Sequence, residues 1–87
     1  MNSQFFLEFP CHFPIKAMGP SGSDFHRLVI EIVFRHAPDL DGTAVRTQLS
    51  RNGRYQSVTV TIRATSREQL DAIYQDLTDH KQVMVAL

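Results

Sequence analysis

Apolar and polar side chains alternate from Phe13 to Met18, with Phe13, Ile15 and Ala17 on one side and Pro14, Lys16 and Met18 on the other. This period of two predicts a half-buried strand over 13–18 with its proline near the start. Gly19, Pro20, Ser21, Gly22 and Ser23 form a turn cluster. Phe25, Leu28, Val29, Ile32 and Val33 follow at helical spacing. They predict a helix with one broad apolar face, capped by Ser23 or Asp24 and stopped at Ala37 by Pro38. Ile30 and Phe34 widen that face beyond a single stripe, and Asp39, Leu40, Asp41 and Gly42 read as a polar loop.

From Thr43 to Ala64, two runs rich in β-branched residues flank Asn52-Gly53. That pair suits a two-residue type I′ turn, so a hairpin is expected. Its register sets Thr43 against Ile62, Val45 against Val60, Thr47 against Val58 and Leu49 against Gln56, with Arg46 facing Thr59 and Gln48 facing Ser57. A one-residue slip would mix apolar and polar faces. Thr65-Ser66-Arg67-Glu68 has the spacing of a capping box. Leu70, Ile73, Tyr74 and Leu77 then predict a second amphipathic helix ending near Asp79, and Val83 to Leu87 a last short strand.

Strand, helix, hairpin, helix, strand is the βαββαβ order of an α+β ferredoxin-like sandwich. Right-handed crossovers put two helices on one face of a four-stranded antiparallel sheet, with strands 1 and 3 central. Residues 13–87 are expected to form this domain, preceded by an arm over 1–12 that docks through Phe5, Phe6 and Phe9. Parity assigns Phe13, Ile15, Ala17, Val45, Leu49, Val58, Val60, Ile62 and Ala64 to the helix side. Lys16, Met18, Arg46, Gln48, Ser57, Thr59, Thr61 and Arg63 fall on the open side.

Composition narrows the function classes. The chain has 87 residues, nine basic and nine acidic side chains, four histidines and one cysteine. About two-thirds of its surface can be buried at this size. One cysteine excludes an intrachain disulfide framework, and zero net charge gives no global pull toward nucleic acid or anionic lipid. Glu8 interrupts the apolar Phe5 to Phe9 stretch and no cation precedes Lys16, so a signal peptide is not expected and the protein reads as cytoplasmic. The segment Leu28 to Phe34, broken by Glu31, is too short to span a membrane.

Two surfaces draw attention. No acid occurs between Thr43 and Arg67, while Arg46, Arg51, Arg54, Arg63 and Arg67 all lie there. Lys16, Arg46, Thr59, Thr61 and Arg63 therefore form an expected surface for an anion or an acidic protein partner, against the plainer reading of a solvated sheet face. Gly19, Ser21, Gly22 and Ser23 precede the exposed amides of a helix N-terminus, a place able to hold a small carboxylate. The competing reading is a capped structural loop, and Asp24 would repel an anion there. Exposed strand edges also allow a homodimer.

The segments Glu8-Phe9-Pro10, Phe13, Lys16-Ala17-Met18-Gly19, Arg35-His36-Ala37-Pro38 and Gly53-Arg54-Tyr55-Gln56-Ser57-Val58 resemble the YbeD family of small bacterial proteins. Ala64-Thr65, Glu68-Gln69 and Tyr74 extend the likeness, which runs from Leu7 to Leu87. The resemblance implies a ferredoxin-like fold similar to the ACT regulatory domains that sense amino acids, and a link to lipoate metabolism through genomic association. In ACT-like domains the ligand usually lies at the loop after the first strand, which Gly19 matches here. The following Pro20-Ser21-Gly22-Ser23 departs from the more helix-like loop of YbeD relatives. The resemblance supplies no catalytic residues.

Catalytic and metal chemistry is not expected. Cys11-His12 would point to opposite sides of an extended arm without a third orienting group, and His12, His26, His36 and His80 are scattered. No cofactor is called for. An acylphosphatase-like reading rests on Gly22 to Arg27, but Asp24 opposes a bound phosphate. Single-stranded RNA recognition needs stacking aromatics on the central strands, where Ser57, Thr59, Thr61 and Met18 stand instead. The residues point to a non-catalytic regulatory or interaction domain.

Overall fold

The computed structural model describes residues 7–39 and 43–87. Along it run β1 (Cys11–Pro20), α1 (Ser23–His36), β2 (Ala44–Leu49), β3 (Tyr55–Ala64), α2 (Arg67–Asp79) and β4 (Val85–Ala86). The four strands form an antiparallel sheet in the order β2-β3-β1-β4, with both helices on one face, the α+β ferredoxin-like sandwich. Its centre is the ladder between β1 and β3, from Cys11 opposite Ala64 to Pro20 opposite Tyr55. Cys11 and His12 thus belong to β1 and not to the arm. Phe9 packs on the core, whereas Phe5 and Phe6, and Leu40 to Gly42 of the polar loop, lie outside the described residues.

Pleating sorts the side chains. Ile15, Ala17, Val58, Val60, Ile62 and Ala64 are fully buried beneath Val29, Ile32 and Val33 of α1 and Ile73 and Leu77 of α2. Pro14 is tolerated within a central strand for a geometric reason. Lys16 exchanges backbone hydrogen bonds with Leu87, and the Met18 carbonyl accepts from the Met84 amide, so the even positions of β1 face β4. The two-residue β4 pairs with Ala17 and Met18, and the last backbone bonds along this edge are those between Lys16 and Leu87, which leaves the nitrogen of Pro14 past them.

The hairpin ladder is the expected one from Val45–Val60 to Leu49–Gln56, but it starts at Ala44 and so lacks the Thr43–Ile62 pair, and its turn is different. Asn52 does not take positive φ and only Gly53 does, at 75°. The Gly53 amide donates to the Ser50 carbonyl at 3.0 Å, and the Asn52 carboxamide oxygen accepts from the Ser50 hydroxyl and the Arg54 amide, both at 3.0 Å. A longer turn closed by the Asn52 side chain therefore replaces the type I′ turn, at unchanged register. Val45 and Leu49 are also not core residues. They are 39% and 62% exposed because the helices leave β2 uncovered.

Both helix starts differ from expectation. Gly22, and not Ser23 or Asp24, occupies the N-cap position of α1. In α2 the cap is Ser66, whose hydroxyl accepts from the Gln69 amide at 3.0 Å. The Gln69 side-chain oxygen accepts from the Thr65 amide at 2.7 Å, and its amide group donates to the His36 carbonyl at 2.9 Å. The box has moved one residue, from Thr65/Glu68 to Ser66/Gln69, because Gln69 also ties α2 to the end of α1. His36 Nε2 reaches Asp76 Oδ2 at 2.6 Å and completes that tie. The final strand is shorter than 83–87, though backbone bonds at Met84 and Leu87 extend its pairing.

Burial pushes the Tyr74 phenol above its ordinary range. A raised folded-state value means that its contribution is complete below the unfolded value, near pH 10, and is lost as pH rises through the folded value. Unfolding free energies measured by urea titration should fall above about pH 10 in the natural chain and fall less steeply in Tyr74→Phe. Identical alkaline slopes would contradict the assignment.

Candidate functional site

The two sequence-predicted surfaces fare differently as geometry. In the loop between β1 and α1, Gln56 is the buried polar side chain among the described residues. Its amide group donates to the carbonyls of Gly22 at 2.7 Å and Pro20 at 3.1 Å, while the Ser21 amide donates to the Arg54 carbonyl at 2.9 Å. The loop's polar groups are thus largely engaged inside the protein. A Cβ placed on Gly19 would lie 2.3 Å from Phe25 Cε1 and 2.6 Å from the Gln82 carbonyl oxygen. Gly19 therefore marks a close packing contact. Gly22 has φ 141°, a backbone region that favours glycine. Gln56 was not singled out as a site residue by sequence reasoning. Its register opposite Gly19 is the signal that could have found it.

The open sheet face is organised in rows across the strands. Arg46, Thr59 and Lys16 form one row, since Thr59 pairs with Arg46 on one side and Lys16 on the other. Strands lie about 4.8 Å apart, so two cationic stems flank the Thr59 hydroxyl at about 10 Å separation. Thr61 lies in the next row between Ala44 and Pro14, and Arg63 stands beside His12 beyond it. A shallow depression of about 300 Å³ is lined by Ala44, Arg46, Thr59 and Thr61. A second, of about 220 Å³, includes Lys16, Met18, Tyr55 and Ser57. Tyr55 stands at the end of this face, and His12, expected in the arm, also belongs to it.

Electrostatics follow from placement. No strand carries an acid, and among the described residues Lys16, Arg46 and Arg63 make no ion pair. Asp24 and Glu31 lie on α1, and Glu68, Asp71, Asp76 and Asp79 on α2. A neutral chain is therefore polarised, with a cationic sheet face and a helix layer that carries six of the nine acids against three arginines. Exposed cations of this kind attract at a range set by the Debye length, about 8 Å at physiological salt.

The other constellations remain apart. Cys11 packs toward the core while His12 pairs with Arg63 across the open face. Among the described residues no group of three His, Cys, Asp or Glu side chains could hold a metal ion, and no helix is long and apolar enough to cross a membrane. Arg27 lines a surface groove with Asp24, Glu31 and His80, so two carboxylates flank the cation an acyl phosphate would need. Purified protein should leave benzoyl phosphate at its spontaneous hydrolysis rate. Rapid turnover lost in Arg27→Ala would refute that expectation.

Comparisons with known proteins agree with the resemblance. Residues 5–87 match the family model described as "Protein of unknown function (DUF493)". The chain is 49% identical over 87 residues to UPF0250 protein NE1487 of Nitrosomonas europaea, covering 100% of both chains. It is 50% identical over 82 residues to a UPF0250 protein of Azotobacter vinelandii, covering 93% of this chain and 89% of that one. The solution structure of protein HP0495 from H. pylori superposes with a TM-score of 0.67 at 15% identity, over 100% of this chain and 94% of that one. This last likeness concerns the fold.

Proposed function

The chain belongs to the DUF493 (UPF0250, YbeD-like) family, and from that premise we propose that it is a cytoplasmic, non-catalytic interaction domain whose open sheet face docks an acidic protein segment. The observation that carries this reading is the row Lys16–Thr59–Arg46, extended by Thr61 and Arg63, on a sheet without a single acid. An extended acidic segment laid across the strands presents alternate side chains about 6.8 Å apart, so carboxylates two to four residues apart reach both cations. Thr59 and Thr61 supply hydroxyl donors between them. Met18 and Tyr55 offer a neighbouring apolar surface for one aromatic or aliphatic side chain.

A small carboxylate at Gly19, Ser21, Gly22 and Ser23 is the weaker reading. The Pro20 and Gly22 carbonyls and the Ser21 amide already have partners, and the space beneath Gly19 is filled by Phe25. A carboxylate there would find the Ser21 amide engaged and the space at Gly19 closed, with Asp24 repelling it. The link to amino-acid or lipoate metabolism that the resemblance implies is compatible with either surface and selects neither.

The test is an amide NMR titration of the labelled protein with a synthetic Glu/Asp-rich peptide containing one phenylalanine. Saturable shifts should centre on Lys16, Arg46, Thr59, Thr61 and Arg63, and weaken steeply as salt is raised. Arg46→Glu combined with Arg63→Glu should reduce affinity at least about tenfold with the spectrum otherwise intact. An absence of shifts with the peptide, or saturable shifts at Gly19 to Ser23 with free amino acids or lipoate, would overturn the reading. Tighter binding to a single-stranded RNA oligonucleotide than to the peptide would overturn it as well.

A further inference from the structure

The outer edge of β2 is the second feature that needs an occupant. Its six residues are all exposed, it ends the sheet, and it lacks the proline or lysine with which edge strands are commonly blunted. The Ser50 amide donates to the Tyr55 carbonyl, so along this ladder the even positions of β2 face β3. The N–H and C=O groups of Val45, Thr47 and Leu49 therefore point outward. Their side chains lie on the helix side, where β2 is uncovered.

Above that uncovered strip runs a second stripe of α1. His26 Nδ1 lies 2.8 Å from Thr47 Oγ1, which places the stripe His26, Ile30, Phe34 alongside β2. Ile30 and Phe34 are only half-buried against the core. Together with Val45 and Leu49 they make an apolar shelf beside an open row of backbone donors and acceptors.

We infer that β2 pairs antiparallel with β2 of a second copy, about a two-fold axis through Thr47. The occupant follows from the strand's own sequence. In this register Val45 meets Leu49 of the second copy, twice by symmetry, Thr47 meets Thr47, and Arg46 meets Gln48. Shifting the axis to Arg46 would oppose two arginines directly, and shifting it to Gln48 would break the Val45–Leu49 pairs. The outward-facing residues Val45, Thr47 and Leu49 fall on the hydrogen-bonding pairs, so the backbone pattern fits as well. The result is one continuous sheet of eight strands with the apolar shelves of both copies adjacent. The pairing register itself needs no acidic partner.

Cysteine cross-linking in a Cys11→Ser background tests the register, since a hydrogen-bonded antiparallel pair has Cα atoms about 5.5 Å apart, within disulfide range. Under mild oxidation Thr47→Cys should form a disulfide-linked dimer at least about tenfold faster than Arg46→Cys, which faces Gln48 instead of itself. Sedimentation equilibrium of the natural chain should rise from 9.9 kDa toward twice that mass with concentration. Val45→Glu with Leu49→Glu, both at exposed positions, should hold it at the monomer mass while amide spectra report an intact fold. Amide exchange at Val45, Thr47 and Leu49 should slow at least about tenfold at high concentration. A chain that stays monomeric into the millimolar range overturns the inference. So does a dimer that leaves these amides unprotected, or equal cross-linking of the two cysteine variants.

Discussion

The pairing of β1 with β3 is the constraint on which the rest of the molecule depends. Both are ten-residue strands matched end to end, and each side of the ladder carries one chemistry. Ile15, Ala17, Val58, Val60 and Ile62 face the helices with no exposure, while Lys16, Thr59, Thr61 and Arg63 share the opposite surface. A strand's side-chain period is two, so burying one face fixes the composition of the other to whatever occupies the alternate positions. The cationic row is in this sense locked by the core. A slip that moved Lys16 would also carry Ile15 and Ala17 out of the interior.

The same ladder explains why the loop after β1 is closed. Gln56 is the first inward position of β3 after the hairpin turn, and its carboxamide donates to the Pro20 and Gly22 carbonyls of the loop that leads into α1. The loop carbonyls thereby gain a donor from the sheet, each such bond worth about 0.5–1.5 kcal/mol net, while the first amides of α1 keep no side-chain cap. Gly19 performs the complementary task of letting the Phe25 ring and the chain before β4 approach the strand. A glycine-rich turn before a helix is easily read as a ligand cradle. Here Gly19 is explained by close packing, and the Pro20 and Gly22 carbonyls by their bonds to Gln56.

The architecture, the strand order, the hairpin register and the two faces of the sheet were legible because each rests on periodicity, and burial enforces periodicity over many residues at once. What was not legible depends on single hydrogen bonds. The choice of Ser66 over Thr65 as cap turns on Gln69 bonding across to His36, a contact between residues far apart in sequence. The turn at Asn52 follows from its side chain accepting the Arg54 amide, which a dipeptide preference does not encode. Val45 and Leu49 were expected inside because they alternate correctly, but alternation says which face a side chain takes and not whether a helix reaches far enough to cover it. The cationic residues of the open face were individually legible. Their row became visible only through the pairing of Thr59 with both neighbours.

Zero net charge conceals the property that unites the two proposed surfaces. The strands and the hairpin turn carry five cations and no acid, while the helices carry six acids against three arginines, so the two layers differ in sign as well as chemistry. Joining two copies at β2 would place Arg46 of each diagonal to the other, about 7–8 Å apart on the same open face. That juxtaposition opposes pairing modestly in the absence of an anion. An acidic segment lying across the seam neutralises both arginines, so it binds the pair more tightly than the single chain. By linkage, the paired form must then be favoured by the segment to the same degree. The two proposed surfaces, a cationic row and an unpartnered edge, would thereby be thermodynamically coupled through one residue, Arg46.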